Sequence, residues 1–254
     1  MAVSEIHFTQ ANSLQKMTAA TVIYPERLPG PFPVMYLLHG LSDDHTAWVR
    51  RTSLERYVEG LPLIVVMPDG GRGFYTDAVA QPHCMHETAI VRDLVGWVDA
   101  TMRTIPKREG RVVCGLSMGG YGALKFALKH PDMFCAAASH SGAPGWASHT
   151  LDPTNDWHKE WIPVLGRKPR GGPDDVFALA RRCPRRSLPA LRIDCGKKDF
   201  LLQDNRNLHR HLTKLRIPHE YSEPPGAHAW EYWDREVRNA IEFFCKVLKI
   251  AKAQ

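Results

Sequence analysis

Apolar residues along this chain alternate between short unbroken runs and longer stretches with helical spacing. The runs at 34–38, 63–67, 112–114 and 134–138 contain almost no polar residue, the mark of strands covered on both faces. Positions 188–195 read as a further strand, and 219–223 as a short last one. Between these runs the period changes to that of helices. A short helix is expected over 52–60, and Ile90, Val91, Leu94, Val95, Val98 and Met102 line one face of another that ends near Pro106. Leu124, Ala127 and Leu128 mark a third helix, while Leu201, Leu202, Leu208, Leu212 and Leu215 mark a fourth. Trp233, Val237, Ala240, Ile241, Phe244 and Leu248 give the last helix a core-facing stripe. Strand-helix alternation of this kind predicts an α/β fold with a central, mostly parallel sheet and helices on both faces. Two β-rich runs between Ile6 and Tyr24, turning near Asn12–Ser13, predict an antiparallel pair at the N-terminal edge.

Two segments break the alternation. Residues 70–86 form a loop too long for a bare connector, carrying Phe74, Tyr75, Asp77, His83 and His86, and are expected to wall a site. Residues 143–186 are rich in proline and glycine, carry Trp146, Trp157 and Trp161, and end in a cluster of arginines. The expected organisation is one domain over 1–254, with 143–186 as a small cap inserted over the active site. Trp157 and Trp161 have helical spacing, which suits either a packed face or the lining of an acyl pocket.

Composition alters this picture little. A chain of 254 residues, 44% hydrophobic and 24% charged, has ordinary globular make-up. No apolar run reaches the length of a membrane helix, and the first residues lack the basic start and apolar core of a secretory signal. A cytoplasmic protein with reduced thiols is therefore expected, with no membrane partner. Cys114, Cys135 and Cys195 lie in or beside strand-like runs, where cysteine acts as a small hydrophobe. The net charge of +6 raises the question of nucleic acid, but no binding motif or interleaved aromatic platform accompanies the arginines. No nucleic-acid partner is expected. His83, Cys84 and His86 lack a separate cluster supplying a fourth ligand, so neither a metal nor any other cofactor is implied.

The chemistry centres on residues 115–119, Gly-Leu-Ser-Met-Gly, which match G-x-S-x-G between a strand and a helix. Glycines two positions either side of Ser117 let strand and helix approach, while the serine takes a strained turn that holds its hydroxyl at the sheet's carboxyl edge. The amide of Met118 and the helix N-terminus there face any developing anion. A second donor is expected from the loop after an early central strand, which points to the amide of Leu41 following His39–Gly40. His39, fixed beside the strand end, reads as a loop-orienting residue rather than a general base.

Serine needs a base and an acid downstream. Asp199 follows the 188–195 strand at its carboxyl end, whereas its rival Asp194 lies inside the strand, where its side chain would be packed against a neighbour. Of thirteen histidines only His228 lies on a loop after the last strand and beyond both partners, completing the order Ser, Asp, His. The expected catalytic set is Ser117, Asp199 and His228, with Leu41 and Met118 amides as oxyanion donors. His39, Tyr75, Trp157 and Trp161 are the candidates for the substrate pocket.

Taken together, these stretches resemble the α/β-hydrolase fold and, within it, the esterase D branch, most closely the tributyrin-esterase-like group of small bacterial carboxylesterases. The resemblance rests on 37–42 with Trp48 and Arg51–Thr52, on 65–68, on 74–77, on 115–123, on Cys195–Gly196 with Asp199–Phe200, and on 226–230 with Tyr232–Trp233. It implies a serine carboxylesterase acting on small short-chain (acetyl to butyryl) esters through an acyl-enzyme. Formylglutathione hydrolases of the branch usually carry a cysteine soon after the His-Gly pair; here 42–45 read Ser-Asp-Asp-His. Acyl-thioester hydrolysis, feruloyl or sugar-acetate hydrolysis, and acyl transfer use the same triad and stay open, as does a homo-oligomeric state.

Overall fold

The structure is a computed structural model that describes residues 1–10 and 13–252. Among these residues eight strands form one sheet in the order β1-β2-β4-β3-β5-β6-β7-β8. β1 (Ala2–Gln10) and β2 (Lys16–Tyr24) pair antiparallel, and β2 pairs antiparallel with β4 (Ile64–Pro68). The antiparallel edge is therefore present; the expected turn residue Asn12 lies outside the described residues. Inward from β4, β3 (Val34–Leu38), β5 (Arg111–Leu116), β6 (Ala136–His140), β7 (Ala190–Asp194) and β8 (Glu220–Ser222) all run parallel.

The unbroken apolar strands are explained by the two layers they serve. Tyr36, Val113 and Ala137 point into one core, while Met35, Val112, Cys114 and Ala136 point into the other. The first core is closed by α4 (Val95–Thr101), α5 (Met118–Lys129), α6 (Asp156–Leu165), α7 (Val176–Arg182) and α8 (Leu202–Lys214). The second is closed by α1 (Ala47–Arg51), α2 (Leu54–Val58) and α9 (Trp230–Leu248). The helix expected over 52–60 is α2, shortened to 54–58; α1 precedes it as a separate short helix, and between them the Thr52 hydroxyl donates to the carbonyl of Trp48. The helix of the 90s begins earlier, with α3 (His86–Thr88) and a π-helical stretch over Ala89–Leu94 before α4.

Register lines up the strand ends. Leu116 pairs with His140, and His140 with Asp194, so Ser117, Ser141 and Cys195 follow side by side at one carboxyl edge. β6 is shifted two residues from its expected place, and His140 belongs to the strand rather than to the loop after it.

A buried ion cluster joins this edge to the long loop. Nζ of Lys125, on α5 and fully buried, donates to the Tyr75 carbonyl (2.6 Å), Thr76 Oγ1 (2.9 Å), Glu87 Oε2 (2.9 Å) and Asp174 Oδ1 (3.3 Å). Lys129 and His130 also bond Glu87, at 2.8 and 2.7 Å. Burial raises the Glu87 carboxyl, but Lys125 and these partners outweigh it and hold the group ionised, well below its usual range. One helix thereby fixes the 70–86 loop and the start of α7. Among the described residues no helix is long and apolar enough to cross a membrane.

Candidate active site

Ser117 joins β5 to α5 with φ +52° and ψ −115°, a left-handed conformation that costs a non-glycine residue. Its neighbours make the turn possible. A Cβ at Gly115 would lie 2.4 Å from the backbone of Gly119, and one at Gly119 would lie 2.4 Å from the Leu38 carbonyl. Only glycine lets strand and helix meet this closely. The strain is held from several sides. The Ser117 amide donates to the His140 carbonyl (2.9 Å), and its own carbonyl accepts from Tyr121 (3.0 Å) and Ala143 (3.2 Å).

The structure brings three side chains to this turn. Ser117 Oγ donates to His228 Nε2 over 3.0 Å, and His228 Nδ1 donates to Asp199 Oδ2 over 2.9 Å. The carboxylate accepts a further bond at Oδ1 from the Leu201 amide (2.8 Å). Burial works to raise the Asp199 carboxyl, but the bonds from His228 and Leu201 prevail and its pKa is lowered. The acid therefore stays ionised and fixes the imidazole with its proton on Nδ1 and a lone pair toward the serine.

The two expected donor amides have no acceptor among the described residues. Met118 opens α5, where the first amides of a helix lack intrahelical partners. Leu41 lies in the loop after β3, and two of the residues expected in the substrate pocket shape this loop instead. His39 Nδ1 donates to the Gly40 carbonyl (2.7 Å), Nε2 accepts from the Gly70 amide (2.8 Å), and Tyr75 donates from its hydroxyl to the His39 carbonyl (2.9 Å). Both side chains are buried, and neither is among the residues that line the cavity.

That cavity, about 470 Å³, is lined by Leu41, Ser117, His228, Trp230 and Trp233, with Asp43, Arg51 and Glu231 as its charged groups. Asp43 has a raised pKa because burial outweighs the help of His39 and the Gly40 amide. Trp157 and Trp161 also lie outside this lining. Trp161 is buried and packs with Trp146 and Phe74 at ring-centroid distances of 4.9 and 4.7 Å, while Trp157 is half exposed on the same helix. Their helical spacing makes a packed aromatic face, the plainer of the two readings. His86 packs against Gly73.

Sequence reasoning did not find a second histidine–aspartate pair behind the serine. Asp194 is fully buried and turned away from His228; its Oδ2 accepts from His140 Nδ1 (2.8 Å) and its Oδ1 from the Tyr232 hydroxyl (2.8 Å). Cys114 Sγ lies 3.3 Å from His140 Nε2. Burial opposes charge on His140, but the adjacent Asp194 carboxylate and Cys114 push its pKa up to about 10. The only signal in the sequence was a titratable residue at the end of each of two strands, His140 on β6 and Asp194 on β7.

A family model described as "Putative esterase" matches residues 11–244. The chain belongs to this esterase family. The esterase is 28% identical over 266 residues to an acetyl esterase of Caldicellulosiruptor saccharolyticus, covering 97% of this chain and 99% of that one. A substrate-bound fluorophosphonate-binding serine hydrolase F, FphF, of Staphylococcus aureus superposes with a TM-score of 0.83 at 29% identity, covering 96% and 98% of the two chains. An S-formylglutathione hydrolase, FrmB, of the same organism gives 0.80 at 28%, again over 96% and 98%. The fold is that of the α/β-hydrolase esterases, and the protein is a carboxylic ester hydrolase.

Proposed function

We propose that the esterase is a serine carboxylesterase for short-chain acyl esters, acetyl to butyryl, of the tributyrin-esterase type within the esterase D branch. The observation that carries this reading is the unbroken hydrogen-bonded line from Asp199 through His228 to Ser117 beside two unpaired amides. Ser117 Oγ attacks the acyl carbonyl carbon while His228 Nε2 takes its proton. The carbonyl π electrons become an oxyanion facing Leu41 and Met118. Collapse breaks the acyl carbon–oxygen bond, and His228 returns its proton to the departing alcohol. Water then repeats the sequence on the acyl-enzyme, releasing the acid and restoring Ser117.

The small-acyl preference draws on the likeness to the acetyl esterase of Caldicellulosiruptor saccharolyticus. Residues 143–186 serve as the cap, starting beside the serine through the Ala143 amide. The substrate is a small molecule, the location cytoplasmic, and neither nucleic acid nor membrane takes part. Hydrolysis of p-nitrophenyl esters of rising chain length tests the reading, with a maximum between acetate and butyrate expected. Activity rising steadily to long chains overturns the acyl preference; a Ser117→Ala enzyme that keeps a tenth of the activity overturns the nucleophile.

A second reading, hydrolysis of an acyl thioester, draws on the likeness to the S-formylglutathione hydrolase structure. The absence of a cysteine in 42–45 weighs against it. Comparing kcat/KM for matched acetyl thioesters and oxyesters decides between the two.

A further inference from the structure

Phe200 is 76% exposed, more than any other large apolar side chain among the described residues. It follows Asp199 directly, and its ring packs on the His228 imidazole with centroids 4.5 Å apart and planes tilted by 46°. Trp233 meets the same imidazole edge-on at 4.9 Å, but is buried. The histidine is thus held between one aromatic ring in the core and one in water. We propose that the exposed Phe200 ring is the platform on which the alcohol part of the ester binds, making this residue a determinant of leaving-group specificity. The inference rests on the serine-esterase reading above.

The path of the proton locates the alcohol. In the step that releases the alcohol, His228 Nε2 must come within hydrogen-bond reach, about 2.6–3.2 Å, of the leaving oxygen. The carbon that carries this oxygen therefore lies beside the imidazole, and the rest of the alcohol extends along its rim. The acyl chain is attached to the other side of the carbonyl carbon and is not so constrained. On the cavity side the rim carries Asp43, Arg51 and Glu231, groups that an apolar alcohol would have to desolvate. On the other side it meets Phe200, whose burial removes apolar area from water on both partners.

A series of acetate esters with one acyl group and varied alcohols tests this, using ethyl, butyl, hexyl and benzyl acetate with the parent, Phe200→Ala and Phe200→Leu. The parent is expected to gain kcat/KM as the alcohol grows. Phe200→Ala should lose about tenfold on benzyl acetate and less than about twofold on ethyl acetate, with Phe200→Leu between. Deacylation, measured from the common acetyl-enzyme, should be unchanged because the alcohol has already left. An equal loss with every alcohol, or a slower deacylation, overturns the proposal by showing that the ring only steadies the imidazole. Unchanged kinetics with an altered state of association also overturns it, assigning the ring to contact between copies. Failure of the underlying esterase reading is separately visible as turnover that survives Ser117→Ala.

Discussion

Tyr232 donates its hydroxyl to Asp194 Oδ1 over 2.8 Å, linking the first turn of α9 to the last residue of β7. The same tyrosine ring lies against Gly226, where a Cβ would come within 2.4 Å of it. The loop carrying His228 is thus enclosed between two points fixed by one side chain. Asp199 departs from the strand that Asp194 ends, so acid and base are referred to a common anchor. Removing the hydroxyl in Tyr232→Phe should lower kcat about tenfold with KM nearly unchanged, since a small displacement of a catalytic group acts on the transition state more than on binding. Steady-state kinetics on a p-nitrophenyl ester read this directly; an unchanged kcat removes Tyr232 from any positioning role.

The acid itself offers a sharper contrast. Asp199→Asn keeps the shape but cannot hold the imidazolium, and a loss of about ten thousandfold in kcat is expected at neutral pH. Asp194→Asn should fall far short of that loss. If instead the two substitutions cost the same, the assignment of Asp199 as the triad acid fails.

The turn at Ser117 was legible because every part of it is local: a strand, glycines at fixed offsets and a helix are all written within residues 111–129. The order Ser, Asp, His was legible for a similar reason, as each residue follows a strand end. Contacts made across the sheet were not. Asp194 meets His140 from the neighbouring strand and Tyr232 from a helix on one face, and no spacing in the chain encodes that meeting. His39 was read both as orienting its loop and as a pocket residue, and Tyr75 as a pocket residue; sequence does not say which way a side chain turns, and both hold backbone rather than line the cavity, so only the loop-orienting reading of His39 stands. Lys125 was read as part of a helix, and only the folded structure shows it buried among Glu87 and Asp174.

That buried lysine gives a stability prediction. Lys125→Met leaves Glu87 and Asp174 short of their central partner in a site closed to water, and breaking such a network typically costs about 3–5 kcal/mol. Urea unfolding should show the loss as a lower midpoint with an unchanged slope. A variant as stable as the parent would mean the cluster contributes nothing net.

Gly119 admits no side chain. In Gly119→Ala the methyl group would sit 2.4 Å from the Leu38 carbonyl, and backbone cannot move aside as a flexible side chain does. α5 must then shift away from β3, taking Ser117 and the Met118 amide with it. A stability loss of about 1–3 kcal/mol is expected, with a fall in kcat of about a hundredfold or more. Circular dichroism melts and ester hydrolysis on one preparation separate the two effects; full activity would show that the close approach is not needed.

His140 makes stability depend on alkaline pH. Its ordinary pKa is 6.5, and in the folded protein the adjacent Asp194 carboxylate holds it near 10 in spite of burial. The folded state then binds the proton more tightly than the unfolded chain. Its contribution is complete below the unfolded value and disappears as pH rises from there through the folded value. The parent should therefore lose thermal stability progressively between about pH 6.5 and 10. In a His140→Leu, Asp194→Leu double variant this slope should be absent, because neither partner titrates. The double variant should also be less destabilised than His140→Leu alone, which leaves a carboxylate buried without its cation. Melting temperatures from pH 6 to 10 for the three proteins carry the test, and an identical alkaline decline in parent and double variant would show that some other group is responsible.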